Sequence, residues 1–231
     1  MGFGIVLPEK SALKWLFLVF LVWTAVGFIV IPLNLHHLPI AYWGDAIWMC
    51  LGAGTVFCYF AHYYGLRKAA IAIGGIVITS ALLEWLGVTS GWPFGPYQYT
   101  SRLGYKLFGL LPITIPAAWT IIVVNSHFAL PDSSWRPWGV GVCAVSSDLT
   151  LEYMAWKIRA YWVWYPKANA HSSWPPLQNF VSWFLIAALL DWCFLRHAIN
   201  APTRLVPRTT LILANLLFIV ATISHLSFVD R

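Results

Sequence analysis

The chain has 231 residues, of which 14 are Lys or Arg and 8 are Asp or Glu, giving a net charge of +6. Charged residues make up 10% of the sequence and hydrophobic residues 60%, whereas soluble domains average about 25% charged residues. A soluble fold with so little charge could not cover its surface with polar groups. The composition therefore excludes a soluble domain, a disordered chain and a coiled coil, and it indicates an integral membrane protein without a nucleic-acid partner.

The apolar segments predict an all-α, polytopic bundle of about seven transmembrane helices that forms a single transmembrane domain over residues 1–231. A bilayer core of roughly 30 Å is crossed by about 20 helical residues. The first apolar run is too long for a signal peptide, so we interpret it as a membrane anchor. The predicted spans lie near 15–33, 40–63, 69–88, 108–128, 138–156, 177–196 and 209–228.

The loops 89–107 and 157–176 are unusually rich in aromatic residues and Pro. Because successive spans alternate in direction, both loops are expected on the membrane face that holds the turn at 34–39. Such loops are typical of the membrane interface or of re-entrant segments covered by protein. The basic residues around the first two spans, Lys10, Lys14, Arg67 and Lys68, predict a multi-pass cell-membrane protein with a cytoplasmic N-terminus.

Five of the eight acidic residues fall inside apolar spans or at their ends. A carboxylate at the centre of a membrane helix costs about 2.5–3.5 kcal/mol, so such residues usually face a cavity or a partner. Asp45, Glu84 and Glu152 are expected at the level of the aromatic loops and Asp148 one turn deeper. Asp191 is expected at the opposite face, paired with Arg196. The five acids are Asp45, Glu84, Asp148, Glu152 and Asp191.

Glu84, Asp148 and Glu152 allow two interpretations. They could form interhelical hydrogen bonds or ion pairs with the loop cations Arg102, Lys106 or Lys157. Alternatively they form a site, since Asp148 and Glu152 are four residues apart and share one helix face. A buried carboxyl group next to a second acid can stay protonated at neutral pH, as a general acid must.

Other catalytic patterns are absent from the sequence. The seven His residues form no histidine box, and no H-E-x-x-H, G-x-S-x-G or P-loop motif is present. The acids at 148 and 152 could bind Mg²⁺ through oxygen, but no second acid-rich motif accompanies them. A membrane prenyltransferase that uses a diphosphate substrate therefore fits poorly.

The segment Glu84–Tyr99, EWLGVTSGWPFGPYQY, resembles the CruF-type carotenoid biosynthesis membrane proteins, which are carotenoid 1,2-hydratases. Further downstream, several shorter patterns are also similar to this family. They are Leu103-Gly104, Pro116–Trp119, the pair Asp148 and Glu152, Trp162-x-Trp164, and Asn179-Phe180 with Trp183.

The resemblance implies hydration of the terminal 1,2 (1′,2′) double bond of an acyclic or monocyclic carotenoid, such as γ-carotene or lycopene, to a tertiary alcohol. This chemistry needs a strong acid and water but no nicotinamide, flavin or metal. Glu84, Asp148 and Glu152 are then the catalytic candidates. Besides substrate and membrane lipid, the implied partners are other enzymes of the pathway, such as a glycosyltransferase. The implied substrate-binding residues are Trp92, Phe94, Tyr97, Tyr99, Trp119, Trp162, Trp164 and Asn179.

Two alternatives from other functional classes remain open at this point. A proton-coupled transporter could use the same membrane acids as a proton relay. A non-catalytic scaffold that binds carotenoid or lipid would need none of the acids for chemistry, so it would tolerate their replacement.

Overall fold

The computed structural model of the protein describes residues 11–35, 38, 43–165, 175–198 and 203–229. Lys10, on which the predicted orientation partly depends, lies outside this part of the chain, as do residues 166–174 of the second aromatic loop and most of 36–42. Within it there are seven α-helices. They are α1 (Ser11–Val30), α2 (Gly44–Tyr64), α3 (Leu66–Ser90), α4 (Ile115–Ala129), α5 (Arg136–Tyr153), α6 (Leu177–Leu190) and α7 (Leu205–Val229).

The helices confirm the predicted all-α membrane bundle. Of the described helices, five are long and apolar enough to cross a membrane: α1, α2, α3, α7, and α6 together with the turn that continues it to Leu195. Helix α4 is apolar but has only 15 residues. Helix α5 carries both Asp148 and Glu152, which lower its hydropathy.

Helix α4 begins later than the sequence predicts, at Ile115 rather than near residue 108. The residues before it form a hairpin of two short strands, β2 (Lys106–Leu107) and β3 (Leu111–Pro112). Phe108 and Gly109 turn between the strands with φ of 49° and 72°, which a helix cannot accommodate. Pro116 then occupies the first turn of α4, where its missing N–H is not needed.

Helices α5 and α6 each end in a π-helical turn, over Met154–Ile158 and Asp191–Leu195. After the first of these turns, the N–H of Arg159 donates to the carbonyl of Met154 at 2.8 Å. Single π-helical turns are rare in proteins, and those that occur are often found at functional sites. The turn in α5 begins two residues after Glu152 and leads the chain into the second aromatic loop.

The two aromatic loops meet in a second antiparallel ribbon, formed by β1 (Tyr97–Tyr99) and β4 (Trp162–Trp164). Tyr97 lies opposite Trp164, and Tyr99 lies opposite Trp162. Successive side chains of a strand point to opposite sides, so these four aromatic side chains all enter the core, where each is less than 9% exposed. This pairing confirms that both loops lie at one end of the bundle.

Contacts between polar side chains tie the helices together at both ends of the bundle. At the ribbon end, Arg159 forms an ion pair with Asp45 in the first turn of α2. At the other end, Nδ1 of His127 lies 2.6 Å from Oδ1 of Asp191. The predicted pairing of Asp191 with Arg196 is therefore wrong, because the π-helical turn places Asp191 against α4 while Arg196 stacks on Trp192.

Candidate active site

Glu84 lies near the end of α3, just below the β1–β4 ribbon, and is 3% exposed. Its Oε2 accepts the phenolic O–H groups of Tyr97 at 2.6 Å and Tyr99 at 2.7 Å. Its Oε1 accepts the indole N–H of Trp119 on α4 at 2.8 Å. Both oxygens of a carboxylate are satisfied by this arrangement, since an ionised carboxyl group only accepts hydrogen bonds.

The contact between Glu84 and β1 depends on Gly87, one turn further along α3. A Cβ atom at residue 87 would lie 2.7 Å from the ring of Phe94 and 2.8 Å from the hydroxyl of Tyr97. Burial, and next the negative charge of Glu84, raise the pKa of Tyr97 and of Tyr99 well above its ordinary value. Both phenols therefore keep the protons that they donate to Glu84.

Glu152 is held in a similar way by the other strand of the ribbon. Its Oε1 accepts the indole N–H groups of Trp162 at 2.9 Å and of Trp164 at 2.5 Å. Within the described part of the chain, its buried Oε2 has no hydrogen-bond partner. Glu152 thus has one fixed oxygen and one oxygen available for chemistry.

Asp148 lies one turn before Glu152 on the same face of α5 and is 1% exposed. Its Oδ2 accepts the amide N–H of Asn179 on α6 at 2.7 Å. Its Oδ1 is buried and, among the residues that the structure describes, has no partner. Buried polar atoms are nearly always hydrogen-bonded in folded proteins. Oδ2 of Asp191 also has no partner among the described residues, but only Asp148 and Glu152 place two such oxygens on one helix face and in one cavity.

The described Lys and Arg residues form no ion pair with Glu84, Asp148 or Glu152. The alternative of ion pairs with the loop cations is therefore wrong. The ammonium of Lys106 donates to the backbone carbonyl of Tyr99 at 3.2 Å, and Lys157 lies over the ring of Trp156. None of the three acids therefore has its charge compensated by a described Lys or Arg residue.

The three acids line one small cavity of about 40 Å³, enough for roughly one water molecule. Trp92, also predicted to bind substrate, does not line it: this side chain is 60% exposed on the outer side of the loop. The other predicted site residues all do. They are Glu84, Phe94, Tyr97, Tyr99, Trp119, Asp148, Glu152, Trp162, Trp164 and Asn179.

Sequence reasoning missed two aromatic residues of this cavity as site residues. Trp183 stacks on Trp119 with ring centres 4.1 Å apart and planes inclined by 18°. Its place in the family-like pattern after Asn179 was the available signal. Tyr161 directly precedes β4, is 2% exposed and also lines the cavity.

A second and larger cavity of about 340 Å³ adjoins the first. The two share Met49, Ala118, Leu151 and Tyr161 as lining residues. Most of its wall is apolar and comes from α1, α2, α4, α5 and α7. Its polar lining consists mainly of the ion pair between Asp45 and Arg159, next to Tyr161, and of Ser147.

This arrangement suits acid chemistry on an apolar molecule. A long hydrocarbon can occupy the larger cavity, which adjoins the cavity of Asp148 and Glu152. Aromatic faces around these acids can hold a cation. The described residues contain no group of three or more His, Cys, Asp and Glu side chains placed to bind a metal ion.

The chain is similar to known proteins over most of its length. The carotenoid biosynthesis protein family matches residues 44–230 of the chain. Bisanhydrobacterioruberin hydratase of Haloarcula japonica is 27% identical over 150 residues, which cover 60% of this chain and 50% of that protein. The chain thus spans about half the length of this curated relative. No solved structure matches the present chain. Because the family match covers most of the sequence, the chain belongs to the carotenoid biosynthesis protein family.

Proposed function

We propose that this protein hydrates the terminal 1,2 (1′,2′) double bond of an acyclic or monocyclic carotenoid, such as γ-carotene or lycopene, without a cofactor. The product is a tertiary alcohol. The observation that carries the proposal is the pair of buried carboxyl oxygens, Oδ1 of Asp148 and Oε2 of Glu152, that have no partner among the described residues and line an aromatic cavity. The hydratase activity in the relative's name supports the same reaction type.

The reaction begins with proton transfer from a carboxylic acid to C2 of the terminal C1=C2 bond. The π electrons form the new C–H bond and leave a tertiary cation at C1, while the acid becomes a carboxylate. The oxygen of a water molecule then bonds to C1, and a proton from that water returns to the carboxylate. The sum is the addition of one water, with no change of oxidation state and with the acid regenerated.

In this proposal one of the carboxyl groups of Asp148 and Glu152 donates the proton, and the other orients the attacking water. Two carboxyl groups one helical turn apart in a low-dielectric site do not readily ionise together, so one of them holds a proton at neutral pH. That proton lies on an unpartnered oxygen, because Asn179 and the two indoles donate to the other oxygens. The second, ionised carboxyl group accepts a hydrogen bond from the attacking water.

Glu84 and the aromatic side chains stabilise the cation. All the donors that surround Glu84 point toward its oxygens, so it supplies a fixed negative charge rather than a mobile proton. Trp119 and Trp183 form a stacked wall of the same cavity. A cation against an aromatic face gains up to about 2 kcal/mol when it is desolvated, and fixed charges in a dry site act strongly on a developing charge.

The proposed location is the cell membrane, with the N-terminus in the cytoplasm. The polyene lies among lipids there, and its end group reaches the ribbon end of the bundle, where water is available. Other carotenoid enzymes, for example a glycosyltransferase that modifies the new hydroxyl group, are the proposed protein partners.

The direct test is co-expression with the genes that make lycopene or γ-carotene, followed by mass analysis of the pigments. We expect a gain of one water per reacting end group, and incorporation of oxygen from isotopically labelled water. Unchanged pigment in membranes that contain well-folded protein would contradict the proposal and favour the non-catalytic scaffold.

A further inference from the structure

We infer that the larger cavity binds only the last three isoprene units of the substrate, so that the protein recognises a chain end and not a whole carotenoid. This inference rests on the proposed function, because it assigns the part of the substrate that the hydration site holds. It adds a specificity that neither the reaction nor the family predicts: substrates of three or more isoprene units should react equally well, whatever their total length.

The position of the larger cavity identifies its occupant. It shares Met49, Ala118, Leu151 and Tyr161 with the cavity of the acids, so a molecule in it would contact the same residues that border Asp148 and Glu152. The wall that it does not share with the smaller cavity is built mainly from apolar side chains. These are chiefly Val26 and Val30 of α1, Ile121 and Ile122 of α4, and Leu217 and Phe218 of α7.

The volume of the cavity limits the length of chain that it can hold. An apolar protein cavity of about 150 Å³ takes up benzene, which has six carbon atoms. By this measure a cavity of about 340 Å³ holds roughly 14 carbon atoms. That is close to three isoprene units and far below the size of a complete carotenoid, so most of the polyene must remain outside.

The wall formed by α1 gives the remaining chain a route into the lipid. Val26 lines the cavity and is 43% exposed, in line along α1 with the exposed side chains of Val22 and Ile29. The wall at this point is therefore one side chain thick. Gly27, the next residue, also lines the cavity and contributes no side chain to close it.

A chain-length series tests the inference with the purified protein in lipid nanodiscs. The probes carry the same isopropylidene end, once in the three alcohols and twice in the two hydrocarbons, so rates are compared per end. In order of length they are geraniol, farnesol, geranylgeraniol, squalene and lycopene. Hydration rate and affinity are measured together, the latter by quenching of Trp fluorescence, since Trp23 and Trp48 line the cavity. Each buried CH₂ group contributes about 0.8 kcal/mol, so we expect affinity to rise at least tenfold per isoprene unit up to farnesol and then to change less than threefold.

The outcomes separate the inference from the proposed function. Affinity that continues to rise tenfold between geranylgeraniol and lycopene, or binding of lycopene alone, would overturn the inference. A plateau at three isoprene units without hydration of any probe would support the inference for binding and contradict the hydratase proposal.

A substitution in the unshared wall gives a second test. Gly27→Leu fills part of the larger cavity outside the cavity of the acids, because a side chain at residue 27 would point toward Leu217, which also lines the larger cavity only. We expect it to lower the affinity for farnesol and longer chains at least tenfold while geraniol stays within threefold. Gly74→Leu is the matched control, since Gly74 has open space around it and does not line the cavity. An equal effect of Gly27→Leu on all chain lengths, or no effect, would overturn the inference.

Discussion

Asp148 and Glu152 lie one turn apart on α5, and each has one carboxyl oxygen fixed by N–H donors and one without a partner in the described structure. The donors come from different elements, α6 for Asp148 and β4 for Glu152. The two available oxygens are thus positioned independently of each other. This geometry makes each acid separately testable.

Asp148→Asn and Glu152→Gln should each lower hydration at least a hundredfold, because general acid–base catalysis contributes about 10²–10⁴-fold. The amides keep the size of the side chains and remove the transferable proton. Product formation per amount of membrane-inserted protein is the measurement. Wild-type activity in both variants would refute the acid mechanism and would leave the scaffold as the better description.

Glu84→Gln should mainly lower activity, whereas Glu84→Leu should also lower stability. The amide oxygen of Gln can accept the N–H of Trp119 and its NH₂ group can donate to the two phenols, so we expect a folded protein whose hydration falls at least tenfold from loss of the fixed charge. Leu leaves three buried donors unsatisfied, which should lower the free energy of unfolding by about 3 kcal/mol. Thermal unfolding in detergent, measured beside activity, distinguishes the two; equal stabilities would argue against the hydrogen bonds of Glu84.

Gly87→Ala should distort the site although it adds only one methyl group. The new Cβ would approach the ring of Phe94 to 2.7 Å and the Tyr97 hydroxyl to 2.8 Å, and overpacking of this kind costs typically 1–3 kcal/mol. Gly74→Ala on the same helix meets nothing within 4 Å and should be neutral or slightly stabilising. Identical unfolding temperatures for the two variants would show that Gly87 is not needed for close packing.

The buried phenols predict an alkaline titration that is incomplete in the folded protein. Burial is the first cause that raises the pKa of Tyr97, Tyr99 and Tyr161 well above its ordinary value of about 10. Because the folded protein holds these protons more tightly than the unfolded chain, their stabilising contribution is complete below pH 10 and is lost as the pH rises toward the higher folded values. Phenolate absorbance should therefore stop short of all 10 tyrosines until the protein unfolds, and full titration of the folded protein would contradict this.

Asp191→Asn should lower stability without affecting the chemistry. Asp191 and His127 are 1% and 0% exposed and lie at the end of the bundle away from the ribbon. Losing the charged partner of a buried hydrogen bond should cost about 1–2 kcal/mol. We expect a lower unfolding temperature with unchanged hydration per folded molecule, and a loss of activity comparable to that of Asp148→Asn would place Asp191 in the mechanism.

The sequence predicted the helices and most of the site because both depend on local signals. Apolar length marked the spans, and the spacing of Asp148 and Glu152 placed them on one face. The antiparallel pairing of β1 with β4 joins strands that are three residues long and more than sixty residues apart in the chain, so no local pattern could reveal it. Consequently the donors of each acid could not be assigned from sequence.

The errors have physical causes as well. Trp92 belongs to the aromatic loop but points outward, because the side chains that enter the core come from Phe94 and the alternating residues of β1. Arg196 is near Asp191 in sequence, yet the π-helical turn that begins at Asp191 directs this carboxylate toward His127. In both cases proximity along the chain was a poor guide to the direction of a side chain.

The ribbon also relates two halves of the protein. Each half consists of a helix with an acid, a strand that donates two aromatic hydrogen bonds to it, and a helix with a stacked Trp: α3, β1 and α4 with Glu84, then α5, β4 and α6 with Glu152. The pairs Tyr97–Trp164 and Tyr99–Trp162 flank the central pair Gln98–Val163, so each strand of the ribbon holds the acid of its own half over one cavity. The two carboxyl groups occupy corresponding places with unequal partners. Two phenols and an indole satisfy both oxygens of Glu84, whereas two indoles hold one oxygen of Glu152 and its other oxygen has no partner among the described residues.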